Sequence, residues 1–298
     1  MANSLRFQPL FHVDLHFHVL SALDLPGDAA SVFSGRKRPW SEELKAAYLA
    51  APGRLMVHGV PLLADDFAGL LAWLRGDRLA DFCDEAGRKL AARLADLVEG
   101  EAPARQAAWD AEGEARARRQ EALTPWLAEL EAVFAELWGG EQRLDSGPST
   151  SSGCRAPSSG CRAPSSGSRA PSSGSRAPGS GCGAPPIDVH DCPSLATRAG
   201  THGRSMLWSG RLHLALGLGG PLEQVLCQLI HEATHAVTDP PIRAAHAQVR
   251  QDTRVGSAAF SLHRELERAA VEEGARLVAG RAPRLRKGYD LWRRRHGC

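Results

Sequence analysis

The chain has 298 residues, room for one large domain or two small ones, and its 36 Lys and Arg against 34 Asp and Glu leave a net charge of +2. So balanced a charge argues for no nucleic-acid partner, and no apolar run is long enough to span a bilayer. Cys83, Cys192, Cys227 and Cys298 show no framework spacing, and Cys154, Cys161 and Cys182 lie in a low-complexity tract. That usage fits a reducing compartment. Phe7 to Leu20 is interrupted by His12, Asp14, His16 and His18, so no secretory apolar segment forms and a cytoplasmic location is expected.

From the N-terminus, His12, Asp14, His16 and His18 alternate, which reads as a strand with one polar face. Val13-Asp14-Leu15-His16-Phe17-His18 resembles the D-x-H-x-H strand of amidohydrolase and PHP-type metal hydrolases. That resemblance implies a metal centre at Asp14, His16 and His18. A barrel hydrolase also needs repeated β-α units, and the residues from 21 to 144 read as helices. Ser41 starts one of them, with Glu42 and Glu43 in its first turn. Asp65 to Arg75, Arg78 to Val98 and Thr124 to Trp138 follow as amphipathic helices, and Glu112 to Glu121 as an exposed one. Trp73, Trp109, Trp126, Phe134 and Trp138 are the candidate core aromatics.

Residues 145 to 186 are a different material. Ser151-Ser152-Gly153-Cys154-Arg155-Ala156-Pro157 recurs as a seven-residue unit from Ser158, Ser165 and Ser172. Its Gly and Pro content and its lack of large apolar residues predict a disordered linker without chemistry.

Beyond it, Arg211 to Leu216 reads as a strand and Gly217 to Gly220 as a turn. Leu222, Val225, Leu226, Leu229, Ile230, Ala233, Ala236 and Val237 then recur at helical spacing. Pro221 suits the start of that helix, and Asp239-Pro240-Pro241 is expected to end it. On this helix lies His231-Glu232-Ala233-Thr234-His235, an H-E-x-x-H sequence. Side chains four apart share a helix face, so His231 and His235 can offer two imidazoles to one zinc ion. Glu232 is placed to act as a base on water rather than as a ligand. Asp239 continues the four-residue series, but donors on three successive turns are nearly collinear, so it is read as the helix end.

Strand, glycine turn and H-E-x-x-H helix together resemble the zincin metallopeptidases. In that superfamily the strand before the helix commonly forms the cleft edge that pairs with an extended peptide. The metzincin pattern fails, because Thr238 and Pro241 stand where its Gly and His belong. The resemblance that remains is to the gluzincins, and it implies a third ligand, a Glu on a second helix. Ser257 to Ala279 reads as that helix, with an apolar stripe of Ala259, Leu262, Leu266, Ala269, Ala270 and Leu277. Glu273 falls within the stripe and Glu267 at its margin, whereas Glu265 and Glu272 share the far face with Arg264, Arg268 and Arg276. Glu273-Gly274-Ala275 also resembles the gluzincin third-ligand segment, with Arg276 in place of its small residue. Glu273 is therefore the expected ligand, Glu267 its substitute and Asp252 a weaker one. Cys227, one turn before His231, is read as core. The Arg-rich stretch from Arg281 fits a solvated helix end, with contact to anionic partners as the alternative.

The expected fold class is α+β. It comprises a mainly helical domain or cap over 1–144, the linker over 145–186, and a zincin-like metal-binding domain over 187–298 with a small sheet and two metal-bearing helices. The expected function is a zinc-dependent metallopeptidase, in which His231, His235 and Glu273 hold Zn²⁺ and Glu232 is the catalytic base acting on a peptide or protein substrate. The oxyanion donor is open among His202, His213, His246, His263 and Tyr289. Two alternatives stand beside this reading: a non-catalytic zincin-like binding or scaffold protein, and a metal hydrolase centred on Asp14, His16 and His18. A third organisation joins both halves in one domain, with His12, His16 and His18 lining the zinc cleft and the linker as an insertion.

Overall fold

The structure, a computed structural model, describes residues 5–22, 40–51, 59–76, 78–79, 84–144, 185–197, 200–201, 203–246 and 258–295. Its class is α+β: helices around a four-stranded mixed sheet. The linker tract lies outside the described residues apart from its last two, Pro185 and Pro186. The Pro186 carbonyl accepts from Leu212 N at 2.9 Å.

The sheet is assembled from both sides of that tract. Strand β1 (Leu5–Phe7) pairs in parallel with β2 (Ile187–Asp191), and β2 pairs in parallel with β6 (Arg211–Leu216). Two short strands, β3 (Ala196–Thr197) and β4 (Gly200–Thr201), form a separate ribbon. Strand β5 (Gly203–Trp208) runs antiparallel to β6 at the sheet edge, giving the order β1-β2-β6-β5. The strand before the motif helix is therefore interior, and the cleft edge expected there passes to β5. Every residue of β2 is buried, which is the reading of a strand covered on both faces.

Period-two alternation explains the cover. Ile187, Val189, Leu212, Leu214 and Leu216 join one core with the C-terminal helices, and Ala215 joins a second core with the N-terminal ones. The division expected at 144 and 187 is thus crossed by packing. An edge strand as short as β1 needs β2 to satisfy its backbone, and the two sheet faces, one apolar and one carrying Asp188, His190, His213 and Ala215, are covered by helices from both halves.

The first helix, α1 (Phe11–Leu20), replaces the strand expected from alternating His and Asp. Val13, Leu15, Phe17, Val19 and Leu20 are all buried, and so are His12, Asp14 and His16, so the segment is enclosed on every side and its alternation marks no solvent face. Asp14 is held by Arg105 Nε at 2.6 Å and by the Ser194 backbone N–H at 3.0 Å. Removing either charge would strand the other in the interior, at a cost of about 3–5 kcal/mol. Helix α2 (Glu42–Ala50) starts as expected, with Ser41 Oγ accepting from Leu44 N. Asp66 and Asp84 cap α3 (Phe67–Arg75) and α4 (Glu85–Ala111) in the same way. The Asp84 cap starts α4 seven residues later than the expected Arg78. Helices α5 (Gly113–Leu123) and α6 (Leu127–Leu144) complete this half. Trp73, Trp109 and Phe134 are buried, whereas Trp126 and Trp138 are partly so.

The C-terminal helices are α7 (Leu222–Ala245), α8 (Ala258–Arg281) and α9 (Arg286–Arg295). Helix α7 does not stop before Pro240. Both prolines lie inside it, and the N–H groups they lack would have bonded to Ala236 and Val237. One ion pair spans the gap, Arg243 Nη2 donating to Asp239 Oδ2 at 3.1 Å, and beyond it the backbone N–H of His246 bonds to the Ile242 and Arg243 carbonyls. Among the described residues no helix is long and apolar enough to cross a membrane.

Candidate metal centre

Helix α7 has two working rows. Its core row, Val225, Leu226, Leu229, Ile230 and Ala233, is buried against the sheet and α8. That burial fixes the rotation of the helix and turns His231 and His235 toward α8. Thr234 locks the contact, its hydroxyl lying 2.6 Å from the His231 carbonyl and 3.1 Å from that of Ala270.

Three side chains converge there. His231 Nε2 and His235 Nε2 are 3.1 Å apart, Glu267 Oε2 lies 3.2 Å from the first, and Glu267 Oε1 lies 3.6 Å from the second. Among the described residues this is the group of His, Cys, Asp or Glu donors that could hold a metal ion. Zinc bonds of 2.0–2.1 Å in tetrahedral geometry set ligand atoms about 3.3 Å apart, so the separations fit zinc. The donor set, two imidazoles and a carboxylate, suits it as well.

Glu273, the expected ligand, does not join the group. Arg276 takes both its oxygens, Nε to Oε2 at 2.9 Å and Nη2 to Oε1 at 2.7 Å. The carboxylate on an apolar stripe is thus satisfied by its own helix three residues on, and Glu267 at the stripe margin meets α7 instead. Asp252 and His202 lie outside the described residues. Cys227 stays in the core, and burial beside Glu223 pushes its thiol up to about 12.

Electrostatics make the trio a place for positive charge. Burial works against ionisation of Glu267, but hydrogen bonds and charge from His231 and His235 hold its carboxyl well below the usual range. Burial also opposes a charged His235, yet its bonds to Asp239 and Glu267 and the nearby Glu232 charge raise it to about 10.

The neighbours are specific. Asp239 Oδ1 lies 2.8 Å from His235 Nδ1, so this ring donates at Nδ1 and presents Nε2 to the group. His231 packs on the ring of Trp292, with centroids 5.0 Å apart. Glu232 is buried, and its Oε1 accepts from Gln228 Nε2 at 2.9 Å. Strand β5 reaches it through Gly203, where a Cβ would stand 2.4 Å from Glu232 Cγ, so only glycine lets edge strand and carboxylate meet. Asp239 and Gln228 were legible as four-residue partners of His235 and Glu232. Gly203 and Trp292 carry no sequence signal toward this site.

The N-terminal residues do not converge. His12 Nε2 meets the Ala64 carbonyl at 3.0 Å, Asp14 is bound to Arg105, and His18 lies 3.9 Å from Glu101. On a helix Asp14 and His16 point about 200° apart, so they face no common ion. Of the oxyanion candidates, His213 stacks on His190 at 5.7 Å on the sheet, Tyr289 is buried against Gly274, and His246 lies 3.2 Å from Glu265. His263, largely exposed and 3.8 Å from Glu267, is the candidate beside the trio.

Compared with models of known families, with curated proteins and with solved structures, the chain matches none.

Proposed function

We propose that the protein is a zinc-dependent metallopeptidase with its centre at His231, His235 and Glu267 and its general base at Glu232. The observation that carries this reading is the convergence of three side chains, the two Nε2 atoms 3.1 Å apart and the two Glu267 oxygens 3.2 and 3.6 Å from them, with a carboxylate on the residue next to the first ligand. A zinc ion there supplies Lewis acidity, bringing water to near-neutral pKa and polarising a carbonyl. Glu232 then does the proton work: it takes a proton from the attacking water and delivers it to the departing amine. Gln228 holds one oxygen of that carboxylate and leaves the other for the proton. Asp239 keeps His235 in the tautomer that leaves Nε2 bare. Strand β5, the last of the sheet and close to Glu232 at Gly203, offers an edge along which an extended peptide can lie beside the base.

The test is elemental analysis of the purified full chain, X-ray absorption at the zinc edge, and incubation with a diverse peptide library read by mass spectrometry. The expected result is one zinc per chain with two imidazoles, a carboxylate and water, and new peptide termini that a chelator abolishes. Four protein ligands without water, and no cleavage, would overturn this reading in favour of a scaffold site.

A further inference from the structure

The trio sits where three helices meet, and the charge on the rim of that junction is one-sided. Glu267 on α8 faces His231 and His235, and Trp292 on α9 packs on His231. Gly288 lies against Glu223 at the start of α7 and Trp292 against His231 further along, so α9 runs in the direction of α7. Ala270 meets Thr234 and Glu265 meets His246, so α8 runs against them. One turn beyond their contacts with the site, the two flanking helices therefore carry Arg264 and Arg295 to the same end of it. Arg264 lies about 60° from Glu267 around α8, and Arg295 about 60° from Trp292 around α9. Arg268 follows Glu267 directly.

All three arginines are exposed. Among the described residues none has an ion-pair partner, whereas the neighbouring acids are engaged: Asp239 by His235 and Arg243, Glu265 by His246, and Asp290 by Arg293. Glu272 is the unengaged acid on α8, more than a turn past Glu267 on the side away from Arg264. Residues 258–295 hold ten Lys and Arg against five Asp and Glu, while the whole chain is nearly neutral. Charge of this kind is concentrated here rather than spread.

Resting on the peptidase reading, we infer that the substrates are acidic peptides, with Asp or Glu flanking the scissile bond and meeting Arg264, Arg268 and Arg295. Complementary rim charge steers encounter and rejects like-charged ligands, and it weakens with salt. Partly exposed pairs are each worth little, so three together give roughly a tenfold preference.

The test digests a proteome-derived peptide library with the zinc-loaded full chain and scores Asp and Glu within four residues of each new terminus. Acidic flanks should be enriched roughly tenfold over Lys and Arg flanks at low salt, and less at high salt. The triple variant Arg264→Glu, Arg268→Glu, Arg295→Glu should abolish or invert the preference with zinc content unchanged. Arg286→Glu with Lys287→Glu, at the far end of α9, should leave it as it was. Arg295→Glu alone should reduce it severalfold and carries the test should the triple variant not fold. Cleavage without acidic enrichment, or enrichment unmoved by Arg295→Glu, overturns the inference and leaves the peptidase reading standing. No cleavage of any peptide overturns both.

Discussion

Helices α1 and α7 both carry histidines close together in sequence, and only α7 brings them to one point. On α7 the spacing is four, the core row turns the pair toward a second helix, and Glu267 closes the group from across the interface. On α1 the spacing is two, which would align the residues on a strand but scatters them around a helix. Each then takes a separate partner: a backbone carbonyl for His12, an arginine for Asp14, and for His16 a buried place edge-on to Phe17 with ring centroids 6.0 Å apart. A run of donor residues thus becomes a site only when its spacing matches the element that forms and a neighbour supplies the missing direction.

The sharpest way to break this comparison is at the base. Glu232→Gln keeps size and the contact with Gln228 but removes proton transfer, so peptidase activity should fall about 10²- to 10⁴-fold with zinc content unchanged. Loss of zinc together with activity would instead make Glu232 part of the metal's support, and the distinction drawn for α7 would fail.

Next comes the carboxylate that α8 contributes. Glu267→Gln should weaken zinc binding in chelator competition by more than about 100-fold, because a ligand and its negative charge are lost together. Glu273→Gln and His16→Gln should leave the affinity where it was. Equal effects at Glu267 and Glu273 would return the ligand to the apolar stripe.

A third pair of histidines, on the strands, extends the comparison to stability. Burial holds His190 down at about 4, against the Gln8 carbonyl bond that raises it, and burial also lowers His213. The unfolded chain takes up these protons near pH 6.5 and the folded chain does not. Stability is therefore full above pH 6.5 and falls as pH drops toward 4, by up to about 3 kcal/mol for His190 alone. Denaturant titrations from pH 7.5 to 4 should show that slope, and His190→Gln should flatten it. An unchanged slope would mean that His190 is as easily charged in the fold as in water.

The smallest expected effect concerns Asp239. Asp239→Asn should cost about 10- to 100-fold in zinc affinity by freeing the His235 tautomer, without unfolding α7. Imidazole nitrogen NMR of the zinc-loaded protein should show a hydrogen-bonded Nδ1–H at His235 in the parent and a weakened one in the variant. Native affinity in the variant would show that packing alone orients the ring.

How far the primary structure reached is clearest residue by residue. The helical row of α7, the placing of His231 and His235 on one helix face, the strand over Arg211 to Leu216 and the Ser41 cap follow from local pattern, which depends only on neighbours in the chain. The choice between Glu267 and Glu273 was not local. The two are six residues apart on one helix, and which meets α7 depends on the crossing set by Thr234 against Ala270 and on Arg276 having captured Glu273. The same holds for α1, whose alternating pattern became a helix because both halves of the chain bury it, and for β1, which finds its partner 182 positions away. Asp239 shows both limits at once: its spacing from His235 was plain, but the prolines after it argued for a helix end, and the helix runs on to Ala245. What the sequence by itself determined is the identity and spacing of the donors. What only the tertiary structure decided is which of them share a point in space, because that depends on packing between segments that the chain places far apart.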